Sequence, residues 1–262
     1  MLYNIKRRYY VIQKRRNKMS LILNVQLSAF SNYRIEPTAN NVTFLMESIN
    51  KLGIKEFLPN ITTGQNIDLI KGKLETISNL GFVTSDKTGQ IICQNNRIDC
   101  MLNYGEDNQC EINESIDALK KIILLILKEF DILSNRLALN VNILSDIYEG
   151  DLKDTKFGQK IVSTLDFYKD KELSEWSTRK NVRYPIKICD KEEILNVITE
   201  LSKVTSNPGE ENRILCHMDI NTIPENTGYR FNYEKMDSFV ENTKDIVNEI
   251  KKNFEELSNH DQ

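Results

Sequence analysis

Leu21-Ile22-Leu23-Asn24-Val25-Gln26-Leu27-Ser28-Ala29-Phe30 alternates apolar and polar side chains, and Asn135-Arg136-Leu137-Ala138-Leu139-Asn140-Val141-Asn142-Ile143-Leu144-Ser145 does so again 114 residues later. A period of two belongs to a strand with one face on a core and the other toward water. In the first stretch Leu21, Leu23, Val25 and Leu27 oppose Ile22, Asn24, Gln26 and Ser28. In the second, Leu137, Leu139, Val141 and Ile143 share a side.

The segments downstream of the two stretches are also alike. After the first, Asn40 is placed to cap a short helix carrying Val42, Leu45, Ile49 and Leu52, with Gly53 ending it. Strand-rich sequence runs to Tyr104, with a turn at Asp86-Lys87-Thr88-Gly89 between Gly81–Thr84 and Gln90–Cys93. The strand Arg97–Asn103 sets Ile98, Cys100 and Leu102 on one face. Asn113, with Glu114 and Asp117 near the positive dipole end, then opens a helix to about Asp131 whose centre is apolar all round.

After the second stretch the spacing predicts a helix over Asp154–Tyr168 and strands over Trp176–Ile188, Ile194–Val204 and Arg213–Thr222, the last two joined by Ser206-Asn207-Pro208-Gly209. A final helix capped by Asn232 carries Met236, Phe239, Val240, Thr243, Ile246, Val247, Ile250, Phe254 and Leu257 as one stripe.

The fold class is therefore α+β: two similar strand, helix, antiparallel meander, long helix halves, residues 19–132 and 133–262, an internal duplication at the level of topology. Each half is expected to lay a sheet beneath its long helix. The outer sheet face, or the seam between the halves, is the expected binding surface.

Residues 1–18 differ from everything after them, holding seven Lys or Arg and no acid. With Tyr3, Tyr9 and Tyr10 interleaved they read as a phosphate-gripping arm. A second reading comes from the genetic code, because Arg15-Arg16 can be encoded by a ribosome-binding sequence two codons before Met19. On that expectation translation starts at Met19. The whole chain has 35 Lys+Arg, 38 Asp+Glu and a net charge of -3; without the leader it has 28 basic residues and a charge of -10. That balance favours a protein partner with a basic face over general nucleic-acid binding.

Composition excludes other classes. With 40% hydrophobic residues in 262, the chain can bury a core, and no apolar run approaches the ~20 residues that cross a bilayer. Cys93, Cys100, Cys110, Cys189 and Cys216 are odd in number and lack CxxC spacing, which fits reduced thiols in the cytoplasm. There is no GxxxxGKS or GxGxxG loop, so no nucleotide cofactor is expected, and no metal-ligand spacing occurs.

Two segments merit weighing as sites. Arg179, Arg183 and Lys187 fall on one face of a strand, with Trp176 or Tyr184 available for stacking, as a nucleic-acid-binding strand over 179–187 requires. The bland alternative is a solvated face whose cations pair with Glu172, Glu175 or Asp190. His217 and Asp219 share a strand face while Cys216 points away, so Cys216 and His217 cannot act as a nucleophile-base pair. A hydrolase centred on His217 and Asp219 lacks a third convergent group and is the remote alternative.

The segments NVQLSAF, GFVTSDKTGQIICQNNRIDCMLNY, NRLALNVNIL, ILCHMDINT and FNYEKMDSFVENTKDIVNEIKKNFEEL resemble a sporadically distributed family of uncharacterised bacterial proteins. The resemblance spans residues 19–262. It departs where Asn140, Val141 and Asn142 stand in place of an arginine-rich, aromatic-bearing strand. It implies carriage on mobile or defence gene clusters and transfers no catalytic residues. The resulting expectation is a non-catalytic macromolecule-binding protein, an accessory or immunity component of a defence or toxin-related cassette, with a protein partner or a second copy as ligand, nucleic acid as the alternative, and no membrane.

Overall fold

A computed structural model describes residues 20–68, 73–146, 173–205 and 212–259. The leader 1–18, the expected helix at Asp154–Tyr168 and the turn at Ser206–Gly209 lie outside the described residues. The class is α+β, with ten antiparallel strands and three α-helices among the described residues.

The strands are β1 (Leu21–Phe30), β2 (Phe57–Pro59), β3 (Thr62–Asp68), β4 (Lys73–Thr84), β5 (Gly89–Cys93), β6 (Arg97–Asn103), β7 (Arg136–Leu144), β8 (Ser177–Ile188), β9 (Lys191–Thr205) and β10 (Asn212–Thr222). The helices are α1 (Ala39–Asn50), α2 (Ile112–Glu129) and α3 (Tyr233–Asn259). Sheet order is β2-β4-β5-β6-β1-β7-β10-β9-β8, with β3 beside β4.

A sheet for each half was the expectation, and the structure merges them into one. β1 pairs with β7 from Leu21↔Leu144 to Phe30↔Arg136, so the seam is a β-ladder and not a cleft. Outward from it the order is β6-β5-β4 on one side and β10-β9-β8 on the other. Gln26 and Asn140, separated by the same 114 residues as the two opening strands, are partners at the seam.

Both long helices cover the same sheet face. Val25, Leu27 and Ala29 of β1 and Leu137, Leu139, Val141 and Ile143 of β7 lie fully buried beneath them. The phase of β1 changes at a bulge between Ile22 and Asn24. That irregularity buries Ile22 and leaves Leu21 and Leu23 partly exposed, correcting the strict alternation read from sequence.

The helix starts also differ from expectation. Thr38, extended at φ -73 and ψ 154, caps α1 by accepting from the Asn41 N–H at 3.3 Å, so Asn40 lies inside the helix. α2 begins at Ile112 with Glu111 as cap and no side-chain bond there, because buried Ile112 must already face the core. Asn113 instead accepts from Asn248 of α3 at 3.2 Å. Asn232 caps α3 as read, accepting from the Lys235 N–H at 3.1 Å. Lys120 bridges to Asp237 at 3.0 Å and Glu241 at 2.6 Å, tying α2 to α3.

The β4–β5 turn is held by Asp86, whose carboxylate accepts from Thr84 Oγ1 at 2.5 Å and from the Thr88 N–H at 3.0 Å. Those bonds, with the Thr88 hydroxyl and Lys55, hold its carboxyl well below the ordinary 3.8. A depressed folded value gives stability that is present above about pH 4 and lost as pH falls through the folded value. Asp86→Asn is expected to cost at most about 1 kcal/mol at pH 7, solvent screening included. Urea unfolding of both proteins from pH 7 to pH 2 should show that difference shrinking below pH 4; a constant difference contradicts it.

Candidate binding surface

The face of the sheet opposite the long helices is polar from one half to the other. Alternation places Asn24, Gln26, Ser28 and Phe30 there from β1, and register fixes their neighbours. One row of side chains reads Asn103, Asn24, Asn142, His217, Glu200, Arg179 across six strands. The next reads Met101, Gln26, Asn140, Asp219, Ile198, Asn181. A third runs Asp99, Ser28, Ala138, Asn221, Asn196, Arg183 and is buried except at Arg183, so the accessible part of the face is the first two rows.

These side chains are held by one another. Asn142 donates to Asn24 Oδ1 at 2.9 Å, so its own Oδ1 is left to accept from His217 Nδ1 at 2.8 Å. With Asn142 Oδ1 as the acceptor, His217 meets it as the donor when Nδ1 carries a proton. Asn221 donates to Asp219 at 2.8 Å and accepts from Asn196 at 3.3 Å. Asp99, only 5% exposed, accepts from Ser28 at 2.6 Å, Gln26 at 3.0 Å and Arg97 at 2.6 Å. Beside it Arg97 and Arg136 lie over the two sides of the Phe30 position, at 5.6 and 4.9 Å from the ring centroid. Such cross-linking removes rotamer freedom before any partner arrives, which lowers the entropy cost of binding.

The cation-bearing strand is β8, at the sheet's edge. Arg179, Arg183 and Lys187 share the polar face as read, Tyr184 projects from the other, and all four are exposed. Trp176 precedes the strand, is half-buried and packs against the core. Arg183 pairs with Glu225 at 2.7 Å instead of with Glu175 or Asp190; Glu172 lies outside the described residues. The bond from Arg183 holds the Glu225 carboxyl below its ordinary value. Among the described residues Arg179, Lys180 and Lys187 make no ion pair.

His217 and Asp219 do share a face, but their bonds run to Asn142 and Asn221 and each belongs to the ladder. Cys216 lies on the opposite face in the core, where burial pushes its thiol up to about 12. Among the described residues no cluster of three or more His, Cys, Asp or Glu is arranged to hold a metal ion, and no helix is long and apolar enough to cross a membrane. The ladder itself was signalled in the sequence by Asn at alternate positions of otherwise apolar strands. Its continuity across both halves was not. No protein-family model and no curated protein matches the chain.

Proposed function

We propose that the protein works by binding a macromolecular partner on the polar face of its sheet, as an accessory or immunity component of a bacterial gene cassette. The observation that carries the reading is three hydrogen-bonded clusters of Asn, Gln, Ser, His and Asp side chains, Asn24-Asn142-His217, Asp219-Asn221-Asn196 and Gln26-Ser28-Asp99, which lie on one sheet face from β6 to β9 and in both halves. An interface needs oriented donors and acceptors around a centre, and the half-buried Asn24, Gln26, Asn140, Asn142, His217 and Asp219 supply them here. The cassette setting rests on the family resemblance of residues 19–262.

Photo-crosslinking in cells tests it. A photoreactive residue at Asn140, the centre of the face, should yield an adduct of discrete mass, while the same residue at exposed Lys121 of α2 should not. Asn140→Arg should weaken capture of that partner about tenfold, as at the centre of an interface. Adducts at Lys121 alone, or none at Asn140, would falsify the reading.

Nucleic-acid binding is the second reading. What supports it is four exposed cations and no acid in Ser177–Ile188. Against it stand the packing of Trp176 on the core and the acidic balance of the chain.

A further inference from the structure

The unpaired edge of β8 combines three features that bear on one ligand. The first is backbone. β8 pairs with β9 alone, and among the described residues nothing pairs with its other side. Pro185 has no N–H, so its pair with Ile194 is a non-hydrogen-bonded one in the ladder. Counting by twos from Pro185, the N–H and C=O groups of Ser177, Arg179, Asn181 and Arg183 also face outward. Among the described residues they form a run of donors and acceptors with no strand partner, which stops at the proline.

The second feature is charge. Arg179 and Arg183 rise from that stretch on the polar face and Lys180 on the other, all exposed. The local sign opposes the net negative charge of the chain. Arg183 holds Glu225 by a pair exposed on both sides, so another carboxylate can take its place in water.

The third feature is an apolar groove on the helix side. α3 begins over the far end of β8, where Ser238 Oγ accepts from the Cys189 N–H at 3.0 Å and Asn242 donates to Lys187 O at 3.1 Å. It then runs diagonally across the sheet until Glu255 accepts from Ser20 beside β1, at 2.6 Å. The wedge it leaves has a volume of about 320 Å³ and is lined by Val182, Leu201, Cys216, Ile250, Phe254 and Leu257. Val182 at its margin is 54% exposed.

We infer that this edge takes an eleventh strand from a partner protein: an extended segment alternating acidic and apolar residues, paired with Ser177–Arg183. Strand addition satisfies the outward backbone groups, and side-chain pockets select the sequence. Residues opposite Arg179 and Arg183 fall on the polar face, where carboxylates complement the guanidinium groups. The residues between them fall on the helix side and enter the groove beside Val182. Neither charge nor apolarity alone fits; the alternation does.

The inference rests on the binding reading above but uses a different surface. The probe is a fluorescent heptapeptide alternating Glu and Val, titrated into the full chain. It should bind, slow amide exchange at Ser177, Arg179, Asn181 and Arg183, and lose about tenfold or more in affinity when the same residues are permuted to break the alternation. Replacing Glu by Lys should remove binding, as should Arg179→Glu with Arg183→Glu, at exposed positions where folding is unaffected. Val182→Glu tests the groove independently. Equal binding of the permuted peptide, protection elsewhere, or binding of an oligothymidylate in place of the peptide overturns the inference. If the peptide fails while the Asn140 adduct forms, the edge proposal falls and the binding reading stands; if the Asn140 adduct also fails, both fall.

Discussion

Replacing Arg230 with alanine is expected to lower the free energy of unfolding by about 3 kcal/mol, the cost of leaving a half-buried ion pair without one partner. The guanidinium donates to both Glu193 oxygens, at 2.7 and 2.9 Å, and to the carbonyls of Asn135, Asn226 and Gly228, at 2.7, 3.0 and 3.1 Å. Its carbon lies 4.1 Å from the centroid of the Phe231 ring. One side chain thus fastens the start of β9, the entry to β7 and the loop before α3. Glu193 is 10% exposed at its side chain and Arg230 17%, so water cannot replace the lost partner fully. Lysine should not rescue, since it lacks the planar fork that meets both oxygens. Glu193→Gln should lose less, and the double variant should lose less than the sum of the two. A loss under about 1 kcal/mol for Arg230→Ala in urea unfolding would show the clamp to be incidental.

Leu27→Ala and Leu139→Ala should each cost about 3 kcal/mol, by lost transfer energy and the cavity left behind. The two are direct partners across the seam and neither has any exposed surface. Sharing one cavity, they should be non-additive. The readout can also show whether the halves unfold together. The single tryptophan, Trp176, belongs to the second half, whereas Leu27 belongs to the first. Because β1 and β7 form one ladder, Leu27→Ala should shift the Trp176 fluorescence transition as far as Leu139→Ala does. A Trp176 transition untouched by Leu27→Ala would mean that the halves are separate cooperative units.

β1, β6 and β7 were legible because each carries a period-two signature, and the α+β class follows from them, whereas β2, β3 and the start of β4 were read only as strand-rich sequence. β8, β9 and β10 all appear within a few residues of the expected bounds. Caps were harder, because Asn40 and Asn113 are good capping residues that lie one or two places inside helices whose starts are set by Thr38 and by buried Ile112. The single sheet could not be read, since no local pattern states which strand lies beside β1; the ladder to β7 is a contact between residues far apart in sequence. The site divides the same way. Arg179, Arg183 and Lys187 share a face by alternation alone, but the bond from Asn142 to Asn24 depends on the seam. The charge balance pointed to a partner with a basic face, while the edge at β8 is locally basic, because a whole-chain sum carries no position.

The seam also orders events during synthesis. When the ribosome has released the chain through α2, strands β4, β5, β6 and β1 can already pair, and β1 is then an edge whose inner face holds Val25, Leu27 and Ala29. The next strand to emerge is β7, the one that covers it. β7 in turn waits for β10, and the chain between Leu144 and Asn212 takes several seconds to make at about 5–20 residues per second. During that interval the nascent protein carries a fresh apolar edge at β7, so this strand, more than any other, is where chaperone contact or mispairing is to be sought on the ribosome.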